Sequence, residues 1–225
     1  MKTYNINFSE KKPFLEANWY SIDWEKAEIA LLEQIRPESA GFVPSVKVKL
    51  LYNNEGISGI FYVEDKYVIC ARTENMDSVW KDSCVEFFIK PFYDKGYFNF
   101  EFNCIGILYA SYILDPERTE NGFKDFNLFS KEDCNKVETI SSLKNPVEPE
   151  YADSLNWTLQ FFIPFSLLEA YTGKCDFENT NEWSCNFYKC ADESSQPHWI
   201  SWSPVVELNF HAPESFGKLL FEKYR

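Results

Sequence analysis

Three observations predict that this chain folds as an all-β protein, specifically an antiparallel β-sandwich. Between residues 83 and 103, apolar and polar side chains alternate almost cleanly, as on strands that bury one face. The chain as a whole has about ten short strand-like segments at hairpin spacing, with almost no convincing helix among them. Aromatic residues make up 18% of the 225 residues, and rings suit a half-buried pleated surface. A closed barrel of about eight strands is the alternative architecture.

The N-terminal half is predicted to be a series of strands after an ambiguous start. Residues 22–36 fit a short helix by one spacing of apolar residues and a strand by another, so periodicity does not decide between them. Alternating segments separated by turn signals then predict a β-meander. Its strands are expected at 46–52, 59–63 and 67–72, followed by the two strands within 83–103 and one at 107–114.

The C-terminal half combines an irregular part with further strands. Residues 115–153 are predicted to be a long irregular excursion with one strand near 137–140, because proline-containing turn sequences stand at both ends. Pro164 should end a strand at 155–163, since proline cannot donate to a strand ladder, and a helical turn over 165–171 should follow. The remaining strands are predicted at 183–190, 199–202 and 216–222.

Composition limits the domain count and the classes of partner. We expect one domain over residues 1–225, with the N-terminal segment 1–45 packed on the sandwich, because sandwiches of this length often remain undivided. The net charge of −13, from 22 basic and 35 acidic residues, argues against nucleic acid and membrane surfaces as partners. We expect the protein to be a monomer.

Targeting signals and metal motifs are not evident in the sequence. Because no apolar run is typical of a signal peptide, we expect a cytoplasmic protein as written, or an extracellular or periplasmic one if a leader was removed. The seven cysteines lack the short paired spacing of zinc sites and are predicted to be mostly buried free thiols. The only histidines, His198 and His211, give little support to nucleophilic catalysis; pairing either with Met76 as haem ligands is a formal alternative.

The strands within 83–103 also carry candidate binding residues. The phenylalanines at 98, 100 and 102 share one face, which should be core, while Glu101 and Asn103 share the other. Glu86 stands beside this polar face if the two strands form a hairpin, and Trp80 lies just upstream. An aromatic surface beside amides and carboxylates on a rigid sheet suits a flat ligand rich in hydroxyl groups, such as a sugar ring.

Several of these motifs, taken in order, match those of a known family. They are Trp80-Lys-Asp-Ser-Cys-Val-Glu-Phe-Phe-Ile, Tyr97-Phe-Asn-Phe-Glu-Phe-Asn, Trp157-Thr-Leu with Ile163-Pro, Ile200-Ser-Trp-Ser-Pro and Pro213-Glu-Ser-Phe-Gly-Lys-Leu. With this order the chain resembles the family 9 carbohydrate-binding modules, and more closely their stand-alone relatives, from about Val46 to the end. The resemblance implies a sandwich of immunoglobulin-like or jelly-roll-like build, non-catalytic carbohydrate binding and, in some members, structural calcium.

In that family two tryptophans clamp a terminal sugar, and polar side chains on the intervening strands bind its hydroxyl groups. The resemblance assigns the first clamp position to Trp80 and the second, before the Pro-x-x-Phe-Gly turn, to Phe210. Glu101 stands where the family has an arginine, and Tyr188 where it has a glutamine. The expected ligand is a mono- or oligosaccharide, and the candidate binding residues are Trp80, Glu86, Glu101, Asn103, Tyr188 and Phe210.

Two other functions remain open at the level of the sequence. Glu86 and Glu101 could serve a glycan-processing hydrolase, for which carboxylates about 5–5.5 Å apart suit retention and about 6.5–9.5 Å inversion. Such an acid needs a raised pKa, which usually requires a deep, partly apolar cleft that a sheet face rarely supplies. A structural or interaction domain that has lost the sugar site is the other alternative, favoured by Glu101 and Phe210 at the family's arginine and tryptophan positions.

Overall fold

Strands are the main regular elements of the computed structural model, which describes residues 1–92, 95–120, 122–174 and 181–222. The strands are β1 (Thr3–Phe8), β2 (Ala30–Leu32), β3 (Gln34–Ile35), β4 (Ser45–Tyr52), β5 (Gly56–Asp65), β6 (Val68–Cys70), β7 (Cys84–Lys90), β8 (Tyr97–Asn103), β9 (Leu108–Thr119), β10 (Gly122–Leu128), β11 (Glu138–Ser141), β12 (Val147–Tyr151), β13 (Leu155–Pro164), β14 (Glu182–Cys190), β15 (Trp199–Ser201) and β16 (Gly217–Phe221). The described helices are α1 (Lys131–Cys134) and α2 (Phe165–Thr172), with 3₁₀ turns at Ile22–Trp24, Val79–Lys81 and Pro213–Ser215. Neither α-helix has the length and apolar character needed to span a membrane.

The strands form two packed layers that share β1. The first layer has the order β10-β9-β8-β7-β14-β16-β1, and the second has the order β1-β4-β5-β13-β11 with β2 beside β4. β15 pairs with the end of β14 and with β3, and β6 forms a separate small sheet with β12. The predicted sandwich is confirmed and the barrel alternative is wrong, since β10 and β11 end the strand order in the described residues. Within the described part of the chain, the sandwich departs from a purely antiparallel arrangement only at β1, which is parallel to both β16 and β4.

Phenylalanine rings fill the space between the two layers. Phe87 of β7 stacks on Phe161 of β13 with ring centroids 5.7 Å apart, and on Phe187 of β14 at 5.3 Å. Phe102 of β8 stacks on Phe161 at 5.2 Å. The phenylalanines at 98, 100 and 102 are all fully buried in this cluster, as the alternation predicted. Burying each such ring contributes about 1.5–3 kcal/mol relative to leaving it exposed.

Residues 203–216, called the cover segment below, lie over the opposite face of the first layer. Val205 and Phe216 of this segment pack on Tyr188 of β14 and neighbouring rings of β7 and β8. The side-chain amide of Asn186 fixes the start of the segment, since its Oδ1 accepts from the Ser203 N–H at 2.8 Å and its Nδ2 donates to the Ser203 carbonyl at 3.0 Å. The polar strand face that carries Glu86 and Glu101 is therefore largely buried, and a cavity lies beside the cover segment.

The segment 115–153 is more regular than the predicted irregular excursion. β9 continues to Thr119 and pairs with β10, and β11 and β12 follow α1. Pro116 is tolerated inside β9 because β8 pairs with β9 only up to Ile113, so the missing N–H interrupts no ladder on that side. The strand expected near 137–140 is present as β11.

Two other sequence interpretations are refined by the strand pairing. Residues 22–36, which periodicity left undecided, form a 3₁₀ turn followed by the short strands β2 and β3. The predicted meander stops after β5, because β6 pairs with β12 rather than with β5. As predicted, β13 ends at Pro164 and a helix, α2, begins at Phe165.

A capping box begins the short helix α1, and a side-chain hydrogen bond links this helix to α2. The Ser130 hydroxyl accepts from the Asp133 N–H at 3.1 Å, and the Asp133 carboxylate accepts from Lys136 Nζ at 2.9 Å and from the Tyr171 hydroxyl at 2.9 Å. These donors, Lys136 above all, lower the pKa of Asp133 to about 2. The ionised carboxylate therefore stabilises the folded state at neutral pH.

Candidate binding site

A cavity of about 350 Å³ opens where the cover segment meets strands β7, β8, β9 and β14. Its volume lies at the lower end of the range of about 300–1,000 Å³ that is typical of small-molecule sites. Four of the six candidate residues line it: Trp80, Glu86, Glu101 and Phe210. The sequence therefore identified the floor and two walls of the cavity, although these residues come from three separate parts of the chain.

Two carboxyl groups form the floor of the cavity. Glu86 of β7 and Glu101 of β8 lie directly opposite each other in the antiparallel register, and both are nearly fully buried. Glu101 Oε1 accepts from Asn99 Nδ2 at 2.7 Å, and Asn99 Oδ1 in turn accepts from the Ser111 N–H at 2.8 Å. Glu101 Oε2 is buried without a hydrogen-bond partner among the described residues. A ligand hydroxyl group entering the cavity could supply that partner.

Burial makes these carboxyl groups weak acids. Burial first, and the neighbouring Cys190 and Glu101 next, raise the pKa of Glu86 well above its usual value. Burial also raises the pKa of Glu101 to about 8, and it raises the pKa of Asp192 at the cavity wall. A carboxyl group that is neutral near pH 7 both donates and accepts hydrogen bonds, which suits it to hydroxyl groups.

Trp80 forms one wall of the cavity from the 3₁₀ turn at Val79–Lys81. Its half-buried indole meets Tyr109 edge-on, with ring centroids 5.2 Å apart and planes at 80°. The main chain of the turn is fixed to the residues after β14, because the Asp192 N–H donates to the Trp80 carbonyl at 3.2 Å and the Glu193 N–H donates to the Lys81 carbonyl at 3.0 Å. The indole position is thus set by the backbone as well as by ring packing.

Phe210 forms another wall, and Tyr188 supports it from behind. The two rings stack with centroids 4.1 Å apart and planes at 14°, and the Tyr188 hydroxyl donates to the Phe210 carbonyl at 3.0 Å. Tyr188 is fully buried and does not line the cavity. Tyr188 was expected to contact the ligand directly, but the cover segment lies over its ring, and Tyr188 instead supports Phe210.

Asn103 is also directed away from the cavity. Its Nδ2 donates to Asp82 Oδ2 at 3.0 Å and to the Arg72 carbonyl at 2.8 Å, while its Oδ1 accepts from the Ile107 N–H at 3.0 Å. Asn103 is fully buried at the end of β8, where these partners use both ends of its amide. The predicted ligand contact by Asn103 is therefore replaced by a structural one.

The sequence analysis missed a group of cavity residues that distant segments contribute. Arg118 of β9 lies over the Phe123 ring at 3.9 Å, and Phe123 packs against His211 at 4.5 Å. Burial lowers the pKa of His211 to about 3, so it is neutral at physiological pH; its Nδ1 lies 3.0 Å from the Tyr97 hydroxyl oxygen. No local motif points to these residues. The other lining residues that were not proposed are Asn99, Tyr109, Cys190, Asp192, Trp199, Leu208 and Asn209.

Trp199 of β15 also lies at the cavity. Its Nε1 donates to Asp192 Oδ1 at 2.8 Å, which orients both side chains in the wall. His198, the residue before Trp199, points into the core instead. Its Nε2 lies 2.7 Å from Lys189 Nζ, and its Nδ1 lies 2.9 Å from the Gln196 carbonyl. Both ring nitrogens of His198 are thus engaged, which leaves this histidine unsuited to the formal haem alternative that pairs it with Met76.

Calcium was expected only through the family resemblance. Among the described residues, one group of three close metal-ligating side chains is found, formed by Cys84, Glu86 and Cys190. Calcium prefers six to eight oxygen ligands, and this group offers a single carboxylate. These residues do not fit calcium, and the calcium expectation stays a prediction.

Comparisons with known proteins agree with the fold and identify the family. The family model for carbohydrate-binding family 9 matches residues 17–221. A structure of a protein of Bacteroides uniformis, proposed to bind carbohydrate, has a TM-score of 0.84 and 28% identity over 98% of this chain and 99% of the other. A family 9 module of Caldicellulosiruptor kristjanssonii, solved with glucose, has a TM-score of 0.63 and 16% identity over 98% of this chain and 97% of the other.

A family 9 module of Caldicellulosiruptor kristjanssonii, solved with cellotriose, has a TM-score of 0.62 and 14% identity over 100% of this chain and 95% of the other. At these identities the last two likenesses support the fold alone. No curated protein matches the chain. Since the family model covers most of the sequence, the chain belongs to carbohydrate-binding family 9.

Proposed function

We propose that this protein binds the end of a carbohydrate chain, or a single sugar, non-covalently in the cavity described above. The observation that carries the proposal is the pairing of an aromatic wall, Trp80 and Phe210, with a floor of two buried carboxyl groups, Glu86 and Glu101. Apolar faces of a sugar ring pack on aromatic rings, and its hydroxyl groups need donors and acceptors at the ring edge. Membership of the family and the sugar-bound relatives support the same ligand class.

In this proposal the residues have separate tasks. Trp80 is the stacking platform and Phe210 is the opposing aromatic wall, while Glu86 and Glu101 hydrogen-bond to sugar hydroxyl groups. Glu101 Oε2 is the strongest single candidate for such a bond, because it is buried and lacks a partner among the described residues. The affinity should lie in the millimolar to micromolar range, about 4–8 kcal/mol, because few contacts compete with water and association has its own cost.

Hydrolysis by Glu86 and Glu101 is the second candidate, and it has one favourable feature. The cavity supplies the buried, partly apolar setting that a catalytic acid needs, and it raises the pKa of Glu101 to about 8. However, burial raises the pKa of Glu86 as well, which disfavours the ionised carboxylate that would act as nucleophile or base. Binding without catalysis is therefore the better-supported function.

The proposal is tested with a panel of sugars and one assay for turnover. The purified chain is titrated with glucose, galactose, mannose, cellobiose and cellotriose by isothermal calorimetry, with tryptophan fluorescence followed in parallel. The same mixtures are then incubated and analysed for released product. Saturable binding without product supports the proposal, and product that disappears in Glu86→Gln supports the hydrolase. Absence of heat and fluorescence change across the panel would favour a domain that has lost its sugar site.

A further inference from the structure

Two cysteines and one glutamate meet beneath the cavity. Cys84 of β7 pairs in register with Cys190 of β14, and Glu86 is two residues further along β7, so the three side chains emerge on one face. Their ligand atoms all lie within 4.8 Å of one another, and Glu86 Oε1 lies 3.1 Å from Cys190 Sγ. All three residues are buried. Sequence spacing could not reveal this group, because its two strands are far apart along the chain.

These two thiols differ in position from the other described cysteines. Cys70, Cys104, Cys134 and Cys185 belong to the cluster between the two layers. Cys84 and Cys190 instead pack together with Val79 on the cavity side of the first layer. Besides Glu86, their hydrogen-bond partners are main-chain carbonyls at 3.5 Å or more, namely those of Val85 and Trp80, and the two thiols also contact each other. Since thiols are weak donors, such contacts contribute little and leave both sulfur atoms available as ligands.

We propose that Cys84, Glu86 and Cys190 form a binding site for a thiophilic divalent metal ion of the zinc class. Zinc accepts thiolate and carboxylate ligands in a tetrahedral arrangement, and sites with three protein ligands leave the fourth position for water or a substrate. With bonds of about 2.3 Å to sulfur and about 2.0–2.2 Å to oxygen, the ligand atoms stand within ~4 Å of each other, close to the separations in the structure. Two soft sulfur ligands exclude calcium and magnesium, which prefer oxygen.

The surroundings of the three residues fit a bound cation. Two thiolates and one carboxylate carry three negative charges, so a divalent ion leaves one in excess. Lys189 of β14 lies beside the group, and its ammonium donates to the Cys190 carbonyl at 2.9 Å. The same ammonium lies 3.6 Å from Asp65 Oδ2, so its charge is already paired and offsets the excess only weakly. A divalent ion would itself neutralise most of the charge that the three ligands bring into this buried location.

The site would also reach the cavity. Glu86 and Cys190 line it, whereas Cys84 lies behind them and does not. An ion held by the three residues would therefore present its open position to a molecule in the cavity, where water or a sugar hydroxyl could occupy it. Because Cys84 does not line the cavity, its substitution separates metal binding from direct sugar contacts. The inference goes beyond sugar binding and does not depend on it.

The test uses the full chain, purified with a chelator and kept reduced with a phosphine. Zinc is titrated in competition with a chromophoric chelator, and cobalt(II) is added separately while the absorption spectrum is recorded. We expect one equivalent of metal per chain and, with cobalt, a near-ultraviolet thiolate charge-transfer band together with strong visible bands of tetrahedral geometry. Cys84→Ser and Cys190→Ser should each weaken zinc binding at least ~100-fold and reduce the charge-transfer band, and the double variant that carries both substitutions should lose the band.

Cys185→Ser is the matched control, because Cys185 is an equally buried cysteine on β14 that faces the core. This substitution should leave metal binding unchanged. If a cysteine variant does not fold, alkylation of the wild-type thiols provides a second measurement: zinc should protect Cys84 and Cys190 selectively. Absence of a stoichiometric equivalent, retention of the cobalt band in the double variant, or equal protection of all cysteines would each overturn the inference. Sugar titrations with and without zinc distinguish its failure from that of the proposed function.

Discussion

Replacing Trp80 with alanine removes the aromatic platform while leaving the rest of the cavity in place. The main chain of its turn is held by hydrogen bonds from Asp192 and Glu193, which the substitution does not touch. The lost side-chain contacts are the edge-on packing against Tyr109 and the packing on Val79, Cys84 and Cys190. Together they should lower the free energy of unfolding by about 2–3 kcal/mol, less than the usual stability of about 5–15 kcal/mol. Trp80→Ala should therefore fold, and its effect on sugar affinity can be interpreted.

The expected loss of affinity follows from two contributions. If a sugar ring removes about 60 Å² of indole surface from water, the area contributes ~1.5 kcal/mol at about 25 cal/mol per Å². The aromatic contact itself adds about 0.5–1.5 kcal/mol. Together they amount to about 2–3 kcal/mol, which corresponds to an affinity roughly 30- to 150-fold weaker.

Isothermal calorimetry with the tightest-binding sugar of the panel measures this loss, and circular dichroism verifies the fold of each variant. Tyr20→Ala is the control, because Tyr20 is an exposed aromatic residue, 79% accessible, that does not line the cavity. Tyr20→Ala should bind sugar as the wild type does. A folded Trp80→Ala variant within about 3-fold of the wild-type affinity, less than 1 kcal/mol, would refute the stacking argument.

Three further predictions concern the framework around the site. Gly56→Ala should destabilise the fold by about 1–3 kcal/mol or more, because the added Cβ would meet the main-chain oxygen of Ile163; denaturation with urea should show a far smaller effect for Gly41→Ala, whose Cβ would lie 3.9 Å from its nearest neighbour. Asn103→Ala should cost about 1–3 kcal/mol of unfolding free energy through its buried partners, with sugar affinity unchanged in calorimetry; weaker binding by the folded variant would argue for a direct contact. Asp133→Asn should lower the free energy of unfolding by about 0.5–1 kcal/mol at pH 7. Because the folded state depresses the pKa of Asp133, this difference should shrink as the pH falls from about 4 through about 2. A difference in urea denaturation that does not depend on pH would contradict the assignment.

The strand pair within 83–103 shows how far local pattern reaches. Alternation with a period of two predicts which residues of a strand share a face, because that geometry is a property of the extended backbone itself. It identified the buried phenylalanines and the shared face of Glu86 and Glu101, which lie opposite each other in the register. The strand end at Pro164 was equally predictable, since proline cannot donate a main-chain hydrogen bond.

The same pattern could not distinguish residues that contact the cavity from those that only share its face. Asn103 and Glu101 alternate identically in the sequence, yet Asn103 is bonded to Asp82, whereas Glu101 lines the cavity and its Oε2 has no partner among the described residues. Tyr188 lies behind Phe210 because the cover segment folds over it. These differences arise from which distant segment covers each part of the sheet, and no local periodicity encodes that.

The sequence by itself determined the sandwich, the inward-facing aromatic rings and the family, because backbone periodicity, ring content and the order of short motifs are all written along the chain. Only the tertiary structure decided that the polar strand face is covered down to one cavity, that Arg118 and Trp199 help to line it, and that Cys84 and Cys190 adjoin across β7 and β14. Each of these depends on long-range strand register and on the path of the cover segment. The free energy that fixes them comes from contacts between residues far apart in sequence, which spacing along the chain does not record.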